Sequence, residues 1–370
     1  MACRNTIVYL QSLAVIATGL LWGVLLANGG VKALLFAVWH GRISDEIPLR
    51  TTYSGFPPLD YPISLLVAFF FYGTDGHDKG YHLFLVDAYS ALQPAFVWLP
   101  IIFGILWQCF GGAIALPLYF MIHLPWVANG HFTRNGGYTR KGDCSRKGGC
   151  MRVVNAEQIF AIPCGFFIGA MLPAIVGMGS QWFGSGARSL DAHQLILGLW
   201  QLVPVWVSCI QMVVSKAYAI IRPTSYGSSS REQSDKQAYH WTRTTYLLTA
   251  AMSGAGHLFT IWGILKDDAR SCSFVNMYVP WPFSSLSGGD EGVLVYGPWL
   301  FLQYDFIIIS LSSLSWAYFL LELDTPLRGA FSSWALALIL LVGAVAIGPA
   351  TTVSLALWYR EMQLPSAPKI

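Results

Sequence analysis

The 370-residue chain is 55% hydrophobic and only 11% charged, well under the roughly 25% charged residues of ordinary soluble domains. Its net charge is +3 and no basic stripe is interleaved with aromatic rings, which excludes nucleic acid as a partner. The composition excludes a soluble catalytic domain and points to an all-α, polytopic transmembrane bundle, one domain over residues 1–370.

The placement of charge supports this. No Lys or Arg falls between Lys79 and Arg134, Arg152 and Arg188, Arg270 and Arg328, or Arg328 and Arg360. Such gaps suit segments that avoid the cost of a charge at mid-bilayer. The seven cysteines are Cys3, Cys109, Cys144, Cys150, Cys164, Cys209 and Cys272. Scattered and odd in number, they read as packing residues rather than a disulfide framework. Cys144 and Cys150 share a loop with no nearby His, which gives no metal site.

In chain order, Ile7–Asn28 is long enough to span at about 20 residues and reads as an uncleaved first crossing. A mixed-charge loop over 29–60 follows and ends in Phe56-Pro57-Pro58-Leu59-Asp60. Tyr61–Gly73 is short for a crossing, being either a helix extended by interfacial residues or a re-entrant piece. Residues 82–126 read as two helices with a tight hairpin at Gly111-Gly112. Further spans are expected near 156–178, 193–215, 244–265, 298–321 and 333–358. The loops 131–152 and 216–243 are basic, whereas 266–297 carries Asp267, Asp268, Asp290 and Glu291. Positive loops stay cytosolic, so about nine crossings fit, with 266–297 lumenal, or eight if 61–73 stops short.

With so little charge inside the spans, each acid at membrane depth is a functional candidate. Asp305 lies in Gln303-Tyr304-Asp305-Phe306-Ile307, where nothing nearby in sequence offers a partner. Asp87, about one turn into the third span, either has a function, pairs with Lys79 or sits at the interface. Glu157 opens the fifth span, where a helix N-terminus favours negative charge, as a cap or as a site residue. Asp75 crowds with His77 and Asp78 in one turn, which either delivers a proton, holds a metal, or is merely solvated. His193 and His257 read as hydrogen-bonded packing residues.

The sequence has no diphosphate-binding Asn-Asp-x-x-Asp pair, and Asp267-Asp268-Ala269-Arg270 lacks a third acid. Nor does it contain a Walker loop, a dinucleotide glycine fingerprint, a metalloprotease helix or a nucleophile elbow. What remains is a carboxylic acid in an apolar, aromatic-rich bundle. Such surroundings favour an acid's neutral form, which can donate a proton, and aromatic faces attract a passing cation. Trp98, Trp107, Trp200, Trp206, Trp262, Trp299 and Trp316 could line such a site, although most read as packing or belt residues. The implied substrate is lipophilic and arrives through membrane lipid, and no cofactor is required.

Residues Phe56-Pro57-Pro58-Leu59-Asp60-Tyr61-Pro62, Leu66-Val67-Ala68-Phe69-Phe70, Asp75-Gly76 and Leu83-Phe84-Leu85-Val86-Asp87 carry a resemblance. This pattern, over residues 56–90, resembles fungal integral-membrane proteins encoded beside prenyltransferases and epoxidases in meroterpenoid and indole-diterpene clusters. Several of these are regarded as membrane-bound terpene cyclases. The resemblance implies a metal-independent, class II-type cyclase of the endoplasmic reticulum or another endomembrane. Its substrate would be a prenylated, or epoxyprenylated, aromatic or polyketide, and the pathway prenyltransferase and epoxidase are the implied protein partners. A transporter or accessory scaffold of the same pathway is the alternative. Asp75, Asp87, Asp305 and Glu157 are the candidate proton-handling residues.

Overall fold

A computed structural model of the chain describes residues 2–92, 94–98, 101–127, 156–179, 188–221, 228–267, 272–281, 289–323 and 332–363. These are overwhelmingly helical, with no strand among them and one isolated bridge between Arg42 and Pro48. Helix is the expected answer where lipid offers backbone groups no hydrogen bonds. Five helices are long and apolar enough to cross a membrane: Asn5–Ala27, Glu157–Met178, Val203–Ile221, Lys236–Lys266 and Gly292–Leu323.

Helix α1 (Ala2–Thr18) continues through a π-helical stretch, Gly19–Gly23, into Val24–Ala27. The expected 29–60 loop instead begins with a helix, α2 (Gly30–His40), bracketed by Gly29 and Gly41, both left-handed. Its run Val31–Trp39, apolar except for Lys32, forms a helix because Leu34, Ala37 and Val38 lie on one turn-spaced face and are buried. Helix α3 (Pro57–Thr74) extends the marginal 61–73 run to 18 residues, with proline in its first turn where a missing N–H costs nothing. Helix α4 (Lys79–Leu92) and a one-turn helix at Ala95–Trp98 lead to α5 (Ile101–Phe110) and α6 (Gly112–Trp126).

The hairpin expected at Gly111-Gly112 is present. Phe103 and Tyr119, eight residues either side of Gly111, meet ring to ring at 5.3 Å. Gly111 turns the chain at φ 100°, ψ 149°, a region reserved for glycine. Helix α7 (Ala156–Cys164) runs through a π-helical stretch, Gly165–Met171, into Leu172–Met178. It packs so closely on the next long helix that a Cβ at Gly169 would come within 2.8 Å of the Val207 backbone.

The expected 193–215 span is divided at Leu202 into α8 (Leu190–Gln201) and α9 (Val203–Ile221). Pro204, which supplies no N–H, favours a break at that point. The expected 216–243 loop is largely helical: α9 ends at Ile221 and α10 runs from Ser228 to Lys266, 39 residues. At 1.5 Å per residue α10 is roughly twice the 30 Å of a bilayer core, so its charged first half needs no loop to leave the membrane. A short helix α11 (Phe274–Tyr278) precedes α12 (Gly289–Leu323) inside the segment expected to be loop.

The last expected span, 333–358, is two 15-residue helices, α13 (Ser333–Ile347) and α14 (Pro349–Gln363). They fold back on each other, since a Cβ at Gly343 would sit 2.9 Å from the Thr352 hydroxyl. The elbow, Gly348 at φ 93°, ψ 147° followed by Pro349, repeats the backbone of Gly111. The basic 131–152 segment, Cys144, Cys150 and the Gly184-Ser185-Gly186 stretch lie outside the described residues.

Inside, Tyr81 stacks on Trp299 at 5.3 Å and Phe120 on Trp316 at 4.6 Å. Outside, large apolar side chains are left uncovered, including Trp334 at 86%, Ile220 at 79% and Val345 at 74% exposure. Water would penalise such a surface; lipid would not.

Candidate active site

Four helices present turn-spaced stripes to one partly open space, α2 through Val31, Leu34 and Leu35. Pro62, Leu65, Leu66, Phe69 and Phe70 come from α3; Leu85, Ala88, Tyr89 and Leu92 from α4; Phe301, Leu302 and Asp305 from α12. Trp22 of the α1 extension, Trp107 of α5 and Trp200 of α8 complete its wall, leaving a cavity of about 370 Å³. Volumes of about 300–1,000 Å³ are usual for small-molecule sites. Among the described residues lining it, Asp305 is the one acid, and Gln108, Gln201 and Cys109 are the other polar groups besides Tyr89.

The rings form a continuous path. Trp22 meets Phe301 at 5.8 Å, Phe301 meets Phe69 at 5.3 Å, and Phe69 meets Phe70 at 4.9 Å. Trp200 follows at 5.3 Å from Phe70 and 5.2 Å from Tyr89. Polar edges of these rings are engaged away from the space: Trp22 donates its indole N–H to the Phe110 carbonyl at 3.0 Å, and the Tyr89 hydroxyl donates to Ala170 O at 3.3 Å. What faces the cavity is therefore largely hydrocarbon and π surface. Ring faces attract cations within about 6 Å.

Asp305 is buried, and among the described residues no side chain bonds to it. The Ala113 N–H donates to its Oδ1 at 2.7 Å, and the Gly112 N–H also reaches the carboxyl. These are first-turn N–H groups of α6, which have no partner within their own helix. The Gly111 elbow brings them there: a Cβ at Gly111 would stand 3.1 Å from Asp305 Oδ1 and 2.7 Å from Leu21. A glycine is required on both conformational and steric grounds.

Asp87 is also buried, at 1% exposure, but faces away from the cavity. Its Oδ1 lies 2.8 Å from His257 Nδ1, and the Tyr278 hydroxyl donates to Oδ2 at 2.6 Å. His257 Nε2 lies 3.3 Å from the Val345 carbonyl. Both ring nitrogens thus face acceptors, which fits an imidazolium donating twice. The cluster joins α4, α10, α11 and α13 near the Gly348 elbow, whose Cβ position is 3.0 Å from His257. Lys79, the partner expected for Asp87, instead pairs with Asp267. That hydrogen bond, outside the spans, holds the Lys79 ammonium above the ordinary lysine range.

Asp75 ends α3 half-buried, its Oδ1 accepting the His77 N–H at 2.8 Å, while Asp78 accepts the Tyr81 N–H at 3.0 Å at the start of α4. Both shape the turn, which Gly76 completes at φ 103°. Glu157, half-buried, stands in the first turn of α7. Neither Asp75 nor Glu157 lines the cavity. Among the described residues no three His, Cys, Asp or Glu are grouped to hold a metal ion. His193 is buried, with Nε2 3.0 Å from the Thr74 hydroxyl.

One anchoring acid was not singled out by sequence. Asp60, at the start of α3, accepts the Ser54 N–H and hydroxyl at 2.7 and 2.8 Å and the Gly55 N–H at 3.0 Å. Burial pushes its carboxyl up, yet these bonds prevail and hold it below the usual range. They fix the N-terminal end of the helix that carries Phe69 and Phe70. Gln108, Gln201 and Trp22 also went unnoticed. The sequence signal for the amides is a lone Gln beside a Trp in an apolar run, Trp107-Gln108 and Trp200-Gln201. Of the tryptophans considered, Trp107 and Trp200 line the cavity, Trp206 and Trp262 are exposed, and Trp299 and Trp316 pack elsewhere. The Trp98 side chain lies outside those described.

Fold and site together define a helical protein with membrane-length helices around an aromatic-walled cavity in which Asp305 is the one acid among the described lining residues. The CtvD domain family matches residues 6–364. The chain belongs to that family. It is 24% identical to terpene cyclase DEP1 of Fusarium langsethiae, covering 98% of this chain and 99% of the relative. It is likewise 24% identical to terpene cyclase alnG of Emericella nidulans, over 94% and 92% of the two chains. Terpene cyclase DEP1 of Alternaria brassicicola is 25% identical, over 93% and 95%. No solved structure matches. The likeness to fungal terpene cyclases thus extends along nearly the whole chain, well beyond residues 56–90.

Proposed function

We propose that this chain is a terpene cyclase that folds a lipophilic prenylated substrate into the cavity and starts ring closure with a proton from Asp305. The observation that carries this reading is the pairing of one acid with a path of aromatic rings in an otherwise apolar space. The names of the full-length relatives favour the same class of reaction.

In the acid form of Asp305, Oδ1 keeps its main-chain N–H bonds and Oδ2 carries the proton. Transfer to an epoxide oxygen breaks a C–O bond; transfer to a terminal alkene uses its π pair to make a C–H bond. Either leaves an electron-deficient carbon, which the π electrons of the next alkene attack to close a ring. Nearby rings stabilise the cation. Loss of a proton to water or a second acid ends the sequence, so the product is an isomer of the substrate and no electrons are exchanged. The apolar lining disfavours water near the cation and so delays its capture.

The finer parts of the reading are that the chain forms one transmembrane unit in an endomembrane. It would have about nine crossings, with 131–152 and the start of α10 on the cytosolic side. The Lys and Arg distribution favours this orientation.

The test uses microsomes from a host lacking the pathway, supplied with a farnesylated phenol or its terminal epoxide. The expected result is an isomeric product that still forms with EDTA present and without added nucleotide. Activity lost on chelation and restored by magnesium would move the chemistry to diphosphate ionisation. Uptake without any isomer would favour the transporter reading.

A further inference from the structure

Gln201 ends α8 beside Trp200 and lines the cavity while only 5% exposed. Its Nε2 donates to the Leu197 carbonyl at 3.1 Å, one turn back. Its Oε1 takes part in no hydrogen bond. The oxygen is not among the fully enclosed unsatisfied atoms, so it stands as an acceptor that a molecule in the cavity can reach. The other cavity amide, Gln108, is only half-buried and can be solvated more readily.

A path of touching rings connects the helix of the acid with the neighbour of this amide. Phe301 shares α12 with Asp305 one turn away, and both close on Gly111. Three ring contacts, at 5.3, 4.9 and 5.3 Å, then lead through Phe69 and Phe70 to Trp200, next to Gln201 in the chain. The acid and the amide thus line one cavity and are linked by an apolar ring path.

We infer that Gln201 is the specificity-determining residue for the non-terpenoid end of the substrate, its Oε1 accepting a hydrogen bond from a hydroxyl on the head group. The substrate class is accordingly a prenylated alcohol or phenol rather than a pure hydrocarbon chain or a fully etherified head. Anchoring the hydroxyl at Gln201 places the far end of the prenyl chain at Asp305. Gln201 binds but transfers no proton. This inference rests on the cyclase reading above.

The test compares an epoxyfarnesyl phenol with its O-methyl ether, in membranes carrying the wild type, Gln201→Leu or Gln201→Met. Wild type should show a KM about tenfold lower for the phenol, with similar kcat, the scale of one buried hydrogen bond. Both variants should raise the KM of the phenol to that of the ether and leave the ether unaffected. Equal KM for phenol and ether in the wild type would overturn the inference whether or not the variants fold. So would a phenol preference that survives in either variant. Failure of the wild type to cyclise either compound is a different result: it removes the cyclase reading itself, and this inference with it.

Discussion

Asp305→Asn is expected to lower turnover by about 10²–10⁴-fold, the usual contribution of a general acid, while leaving expression and thermal unfolding close to wild type. The asparagine carbonyl can take over the hydrogen bonds that Asp305 receives from the Ala113 and Gly112 N–H groups. Its amide cannot supply the proton. The substitution therefore separates chemistry from architecture, which Asp305→Ala would not, since it strips the first turn of α6 of its acceptor. Turnover in membranes and unfolding in detergent should be measured on the same preparation. Near-normal turnover would make Asp305 a cross-chain cap for α6 and no more.

The second large effect is expected on stability. Asp87→Ala leaves His257 and the Tyr278 hydroxyl facing one another without the carboxylate both donate to. Removing one partner of a buried ion pair costs about 3–5 kcal/mol. Four helices converge on this cluster, so the loss should appear as a lower unfolding midpoint in detergent and poorer expression. His257→Ala should destabilise in the same direction, and the double variant should cost less than the sum of the two, because the residues touch. A well-folded Asp87→Ala protein with normal unfolding but no turnover would make Asp87 the chemical residue instead.

These two acids show what could be read from sequence. Both stood out because a carboxylate at membrane depth is costly, and that inference needs no contact information. Their partners were not readable. Asp87 pairs with residues 170 and 191 positions away, and Asp305 with main-chain N–H groups that carry no sequence identity at all. The sequence instead suggested Lys79 for Asp87, because proximity along the chain was the sole guide available.

Helix boundaries divide along a similar line. The Gly111-Gly112 break was legible because paired glycines punctuate an apolar run. Gly348-Pro349 is an equally strong break, yet it lay inside a hydrophobic stretch whose length alone matched a crossing. The charged 216–243 segment read as a loop, whereas most of it is helix: charge decides where a segment sits relative to lipid, not whether its backbone is helical. The likeness carried by residues 56–90 pointed to the same group of proteins that the full-length relatives represent.

The central claim is that the reactive end of a prenyl chain meets Asp305 inside the aromatic cavity. Photolabelling tests it most directly, using a farnesyl phenol with a diazirine on its terminal isoprene unit, irradiated in membranes containing the intact protein. The account predicts that the label lands on peptides holding Phe301 and Asp305 in α12 or Phe69 in α3, and that unlabelled farnesyl phenol competes it away. Competed labelling confined to the Asp87–His257–Tyr278 side of α4, or to the exposed faces of α9 and α13, would contradict it.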